Sequence, residues 1–115
     1  TPQRVSFSFQ TQEDASFQKF KNTVTCKYVV TFWNVGSLVP GYGGAVMKGV
    51  CTASINGVTA DMDGSGTFSG GPNGSVSVGG ERGFSIRING GQSATIPEVG
   101  TRPLSNPGAF ADWPK

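Results

Sequence analysis

Hydrophobic and polar residues alternate along most of this chain, and three Asn-Gly pairs punctuate the alternation. A period of two marks a half-buried strand, and Asn-Gly tolerates the positive φ of a tight hairpin turn. Near the start, Val5, Phe7 and Phe9 alternate with Ser6 and Ser8. Val24, Cys26, Tyr28, Val30 and Phe32 then alternate with Thr25, Lys27, Thr31 and Trp33. A two-residue turn at Asn56-Gly57 places Ile55 opposite Val58. One face of that hairpin carries Ala45, Met47, Gly49, Cys51 and Ala53 against Ala60, Met62, Gly64, Gly66 and Phe68. In this register Gly49 faces Gly64, where a barrel strand can bend sharply. The other face carries Lys48, Thr52, Asp61, Asp63 and Ser65, with Val46 and Val50 as apolar exceptions. A slip of one residue would bury both aspartates.

Downstream, Val76 and Val78 point inward, and Phe84, Ile86 and Ile88 alternate with Ser85 and Arg87. A loop at Asn89-Gly90-Gly91 sets Ala94 opposite Ile86 and Ile96 opposite Phe84. Residues 11–22, TQEDASFQKFKN, break the rhythm. Thr11 with Asp14 resembles a capping box, acids fill the first turn, and Lys19 and Lys21 fill the last. Phe17 and Phe20 lie three apart. This spacing predicts a short helix packing both rings on the sheet. Residues 34–44 form a long glycine-rich loop, and residues 97–115, with four prolines, an irregular wrapped tail. The sum is a mainly β fold: a small antiparallel β-barrel, or a sandwich, of about seven strands with one short helix between the first two. The continuous meander from 45 to 97 favours the barrel.

Composition narrows the picture. At 115 residues the chain is one domain with one modest core. Hydrophobic content is 36% and charged content 14%, against roughly 45–50% and about 25% in typical globular chains. Glycine, serine and threonine make up the difference, yet the apolar residues are patterned, so the chain folds. The net charge of +2 comes from dispersed basic residues that form no stripe, which argues against nucleic acid as a partner. No apolar stretch approaches the roughly 18 residues that span a bilayer. With two cysteines and no histidine, a tetrahedral zinc site cannot close. Cys26 and Cys51 both fall on the apolar side of their strands, the placement a core-facing disulfide needs. A disulfide implies an oxidising compartment, hence a secreted, extracellular chain, with Thr1 following either a removed leader or an artificial cut in a longer chain.

Candidate chemistry is sparse. Asp61, Asp63, Ser65, Gly66 and Phe68 match the opening of an EF-hand loop, but the twelfth position is Pro72, which has no side-chain oxygen. The flanks are strands rather than helices. No metal or other cofactor is therefore expected, and calcium remains an option only in another loop geometry using Asp61, Asp63 and Ser65. Glu81 could join them if the 70–74 hairpin folded back. Without histidine the usual serine and cysteine triads are excluded. Asp61 and Asp63, about 7 Å apart along one strand, have a tolerable spacing for a glycosidase pair but sit on an open, wet face that is poor for raising the pKa of one of them.

Aromatic residues offer more. Trp33 falls on the outward parity of its strand with Lys27 and Thr31, just before the loop that carries Asn34 and Tyr42. An exposed indole beside polar groups suits a sugar face or a protein hot spot. The alternative is that the helix or the tail covers this patch, with Trp113 packing on it. Arg82 and Arg87 lie two strands away, able to meet an acidic group or simply solvated. The leading expectation is a secreted, non-enzymatic binding module that uses the 34–44 loop, Trp33, Asn34, Tyr42, Lys27 and Arg87 to recognise a carbohydrate or a cell-surface protein. A secreted effector, toxin or inhibitor acting on a host or competitor protein is the second. A small carboxylate-dependent hydrolase is the third.

Overall fold

The computed structural model describes residues 4–17, 20–36, 38–80 and 83–113. The strands are β1 (Arg4–Phe17), β2 (Phe20–Trp33), β3 (Tyr42–Ala53), β4 (Thr59–Asp61), β5 (Gly64–Ser69), β6 (Ser75–Val78), β7 (Phe84–Asn89), β8 (Ser93–Ile96) and β9 (Gly100–Pro103). They pair antiparallel in the order β1-β2-β3-β5-β6-β7-β8-β9, with β4 added beside β3. The eight strands on this path form a nearly closed barrel. Closure occurs just past β9, where the Ser105 N–H donates to the Ser6 carbonyl at 2.8 Å. Asn106 reinforces the seam, accepting from the Ser6 N–H at 3.0 Å and donating to the Arg4 carbonyl at 2.6 Å. A side-chain amide thus substitutes for a strand at the sheet's edge.

The period of two sets the core. Val5, Phe7, Phe9, Tyr28, Val30, Phe32, Phe68 and Ile86 are among the buried residues, while Val46 and Val50 remain on the outer surface. Cys26 and Cys51 stand directly opposite each other on β2 and β3 and form the disulfide, largely out of solvent. Two hairpin registers differ from the expected ones by two residues. Cys51 pairs with Ala60 and Met47 with Gly64, because four residues, 54–57, make the turn. Ile88, not Ile86, pairs with Ala94. A shift of two keeps every side chain on its expected face, so the hydrophobic pattern alone cannot distinguish the registers. Gly49 therefore does not face Gly64. A Cβ at Gly49 would stand 2.5 Å from the Tyr28 ring, and one at Gly64 would stand 1.5 Å from the Gly79 carbonyl oxygen. Each glycine clears a different neighbour.

The expected helix at 11–22 is absent. β1 and β2 run through this segment as one long hairpin, paired down to Phe17 opposite Phe20. Phe17 and Phe20, three apart in sequence, are cross-strand partners rather than neighbours on a helical face. Their side chains, together with residues 18 and 19, lie outside the described residues. Fourteen residues at about 3.3 Å each give strands near 46 Å long, which accounts for the 55 Å long axis of the molecule. Among the described residues the helical element is a 3-10 turn, Pro107–Asp112, in the segment expected to be irregular. That segment also supplies β9. Its Phe110 and Trp113 pack on Phe32 and Phe68 and plug one end of the barrel.

Candidate functional site

The plugged end of the barrel holds an apolar concavity. A cavity of about 380 Å³ is lined by Pro40 and Gly41 from the β2–β3 loop, Gly70, Gly71 and Pro72 from the β5–β6 turn, and Phe110 and Trp113. Local sequence explains each wall. Glycines at 41 and 70 adopt φ of 82° and 95°, which lets the two turns lie side by side, and the Gly70 N–H donates to the Gly41 carbonyl. Pro107 starts the 3-10 turn, lacking the N–H that a first-turn residue leaves unpaired anyway. That turn brings Phe110 and Trp113 together, with ring centroids 4.3 Å apart. The Trp113 Nε1–H is out of solvent and has no acceptor among the described residues. No other lining residue has a side chain able to hydrogen-bond.

The surface beside this cavity is apolar. Val35, Leu38, Val39 and Tyr42 are exposed, Leu38 at 93%. The chain leaves the cavity wall at Gly41 and turns Tyr42 onto the outer face. A bond from the Val35 N–H to the Tyr42 carbonyl at 2.8 Å closes the base of the loop. Exposed apolar clusters of this kind are the surfaces on which soluble proteins commonly make contacts.

The residues expected to bind are placed unevenly. Trp33 is half-buried on the outer face. Its indole lies over Gly44, where a Cβ would come within 2.6 Å, and the Arg4 guanidinium sits over the ring at 5.4 Å. Its ring therefore packs against its own chain. Trp113 does not cover it; that residue packs inside the barrel end instead. Asn34 is buried, and its Oδ1 accepts from the Gly36 N–H at 3.1 Å, so it shapes the loop. Tyr42 shares the outer face with Trp33. Lys27 lies on that face six residues from Trp33, about 20 Å along β2. Arg87 is exposed on β7, three strands on from β3 in the sheet order. Lys27 and Arg87 thus do not join Trp33 and Tyr42 in one site.

Asp61 and Asp63 are exposed and flank Met62, which packs against the core. Asp63 accepts from Lys48 Nζ at 3.0 Å and from the Gly49 N–H at 3.1 Å. These bonds, the Lys48 one foremost, hold its carboxyl below the usual aspartate range. Among the described residues no three His, Cys, Asp or Glu side chains gather as a metal site. Ser65 faces outward on β5 opposite Val46, while Glu81 and Arg82 lie outside the described residues. Sequence reasoning missed Phe110 and Trp113 as cavity residues. Their proline-flanked position and wide spacing from β2 gave no periodic signal. No family model, curated protein or solved structure matches the chain.

Proposed function

We propose that this chain is a secreted, non-enzymatic binding module that grips a protein on another cell's surface through its plugged barrel end. The observation that carries this is an apolar cavity bordered by a fully exposed Leu38 and by Val39 and Tyr42. A protein side chain, apolar or aromatic, suits walls of proline, glycine, phenylalanine and tryptophan. A sugar needs several polar side chains around its ring, and here the one polar side-chain atom among the lining residues, Trp113 Nε1, is itself out of solvent. The buried disulfide is compatible with an extracellular life. Asp63 supports the non-enzymatic reading: it lies in the open and accepts from Lys48 and the Gly49 N–H, bonds that favour its charged form over a general acid. A secreted effector or inhibitor would use the same grip to occupy its target.

Two variants test this without disturbing the core. Leu38→Asp alters an exposed tip, and Gly71→Phe fills the cavity from a position where a Cβ meets nothing within 4 Å. Labelled protein is applied to bacterial, fungal, plant and animal cells before and after surface proteolysis or glycosidase treatment. The expected result is binding to one cell type that proteolysis removes and both variants weaken at unchanged melting temperature. Binding that survives proteolysis, falls with glycosidase and gives a glycan-array signal would replace the protein partner with a carbohydrate. Full binding by both variants would move the site elsewhere.

A further inference from the structure

The barrel seam is zipped at one end and open along the rest. Ser6 turns its N–H and C=O to the outer edge of β1, where Asn106 and Ser105 meet them. Alternation along a strand then sends the N–H and C=O of Ser8, Gln10 and Gln12 to the same edge. Among the described residues no strand pairs with that edge, because β1 ends the sheet. Residues 8–12, SFQTQ, include none of the lysine, proline or glycine that ordinarily blunts an edge. Across the opening stand the β8–β9 turn and Arg102.

Two cavities occupy this opening. One of about 260 Å³ lies between Gln10, Gln12 and Glu13 on β1 and Pro97, Glu98 and Arg102 across the opening, so the carboxylates of the opening, Glu13 and Glu98, stand at this end. Thr11 also lines it, only 8% exposed, and its hydroxyl has no hydrogen-bond partner among the described residues. It lies beside the Tyr28 phenol, whose pKa burial pushes up, without forming a bond of acceptable geometry. The second cavity, about 460 Å³, is lined by Ser8, Gln10, Lys27, Tyr28 and Arg102 among others, with two cations and no carboxylate. The ion pair found among the described residues is Lys48 with Asp63, which leaves Lys27 and Arg102 without a carboxylate partner there.

We propose that the seam receives an extended, acidic segment of a partner protein by β-strand addition. The segment pairs its backbone with Ser8, Gln10 and Gln12 and presents an Asp or Glu to Lys27 and Arg102. A polar side chain on its inner face meets the Thr11 hydroxyl. Backbone pairing supplies affinity and the two cations supply selectivity. A second copy of this chain is a poorer fit, since its own residues 8–12 carry no carboxylate. This site is separate from the plugged end, and its variants differ from those that test the proposed function.

The test is selection from a phage-displayed dodecapeptide library on the immobilised protein, followed by titration with the synthetic winners. The expected winners are β-branched segments containing Asp or Glu. They bind Arg102→Ala and Lys27→Ala at least about ten-fold more weakly, the scale of one lost charged hydrogen bond. Gln10→Pro, which removes an edge N–H from an exposed position, abolishes binding, with melting checked in parallel. N-methylation of the peptide at alternate positions abolishes binding in one parity and spares it in the other. No enrichment, winners without acids, or winners that bind all three variants equally would overturn the proposal. A dimer in light scattering that Gln10→Pro dissolves would assign the edge to a second copy and overturn it as well.

Discussion

Removing the Phe110 ring tests whether the C-terminal turn is part of the core or merely lies against it. Phe110 is 9% exposed, and its centroid lies 4.3 Å from Trp113, 5.8 Å from Phe32 and 6.3 Å from Phe68. Phe→Ala in a packed core costs about 3–5 kcal/mol, combining lost transfer energy with an unfilled hole. Here the lower end applies, because the hole opens into the adjoining cavity where water can enter and Trp113 can settle. About 3 kcal/mol is a large part of the roughly 5–15 kcal/mol available to a small domain. It corresponds to a melting temperature lower by about 12 °C at roughly 4 °C per kcal/mol. Urea unfolding followed by far-UV circular dichroism reads the loss as a lower midpoint at unchanged slope, since the unfolded state is the same. Leu38→Ala serves as the control and should stay within about 0.5 kcal/mol. A loss below about 1 kcal/mol for Phe110→Ala would show that the turn does not plug the barrel, and the cavity would lose its floor.

Three further outcomes follow from other parts of the fold. Gly49→Ala, whose Cβ would approach the Tyr28 ring to 2.5 Å and the Met62 carbonyl oxygen to 3.0 Å, should cost about 1–3 kcal/mol by urea unfolding. Replacing Cys26 and Cys51 by serine opens a cross-link of sequence separation 25. By chain entropy this should cost about 3.5 kcal/mol, and reductant should then no longer change the variant's melting temperature. Asp63 has its folded pKa below its unfolded one, so its contribution to stability is complete above the ordinary aspartate value and disappears as pH falls through the lower folded value. Asp63→Asn and Lys48→Met should therefore each flatten the pH dependence of melting below about pH 4, leaving the profile near neutrality unchanged in shape.

Much of the architecture is written in single residues. The alternation of Val5, Phe7 and Phe9, and of Cys26, Tyr28 and Val30, identifies core faces without any knowledge of pairing. It also places both sulfurs inward, where the disulfide forms. The two-residue register shifts stayed hidden because parity survives them. The segment at 11–22 departs from its local signals for a physical reason. Its acids, its Thr11 and its lysines satisfy helix rules locally, but 14 cross-strand pairs along β1 and β2 outweigh propensity. Thr11 gave a hint: it continues the inward parity of Phe7 and Phe9. Of the candidate site, Tyr42 and the 34–44 loop were legible as exposed features. Phe110 and Trp113 were not, since their role depends on a turn that packs against strands more than 40 residues away in sequence. The seam was equally invisible, because it joins Ser6 to Asn106 across 100 residues.

The open seam and the plugged end share one structural premise, that β1 is held at Ser6, free from Ser8 to Gln12, and paired along its inner edge with β2. Amide hydrogen exchange read residue by residue by NMR tests it directly. The expected pattern alternates: Val5, Phe7, Phe9 and Thr11 exchange slowly, Ser8, Gln10 and Gln12 quickly, and Ser6 and Ser105 slowly despite lying at the edge. Slow exchange at every residue from 5 to 12 would mean a fully closed barrel, and fast exchange at Ser6 and Ser105 would mean no seam; either result contradicts the account.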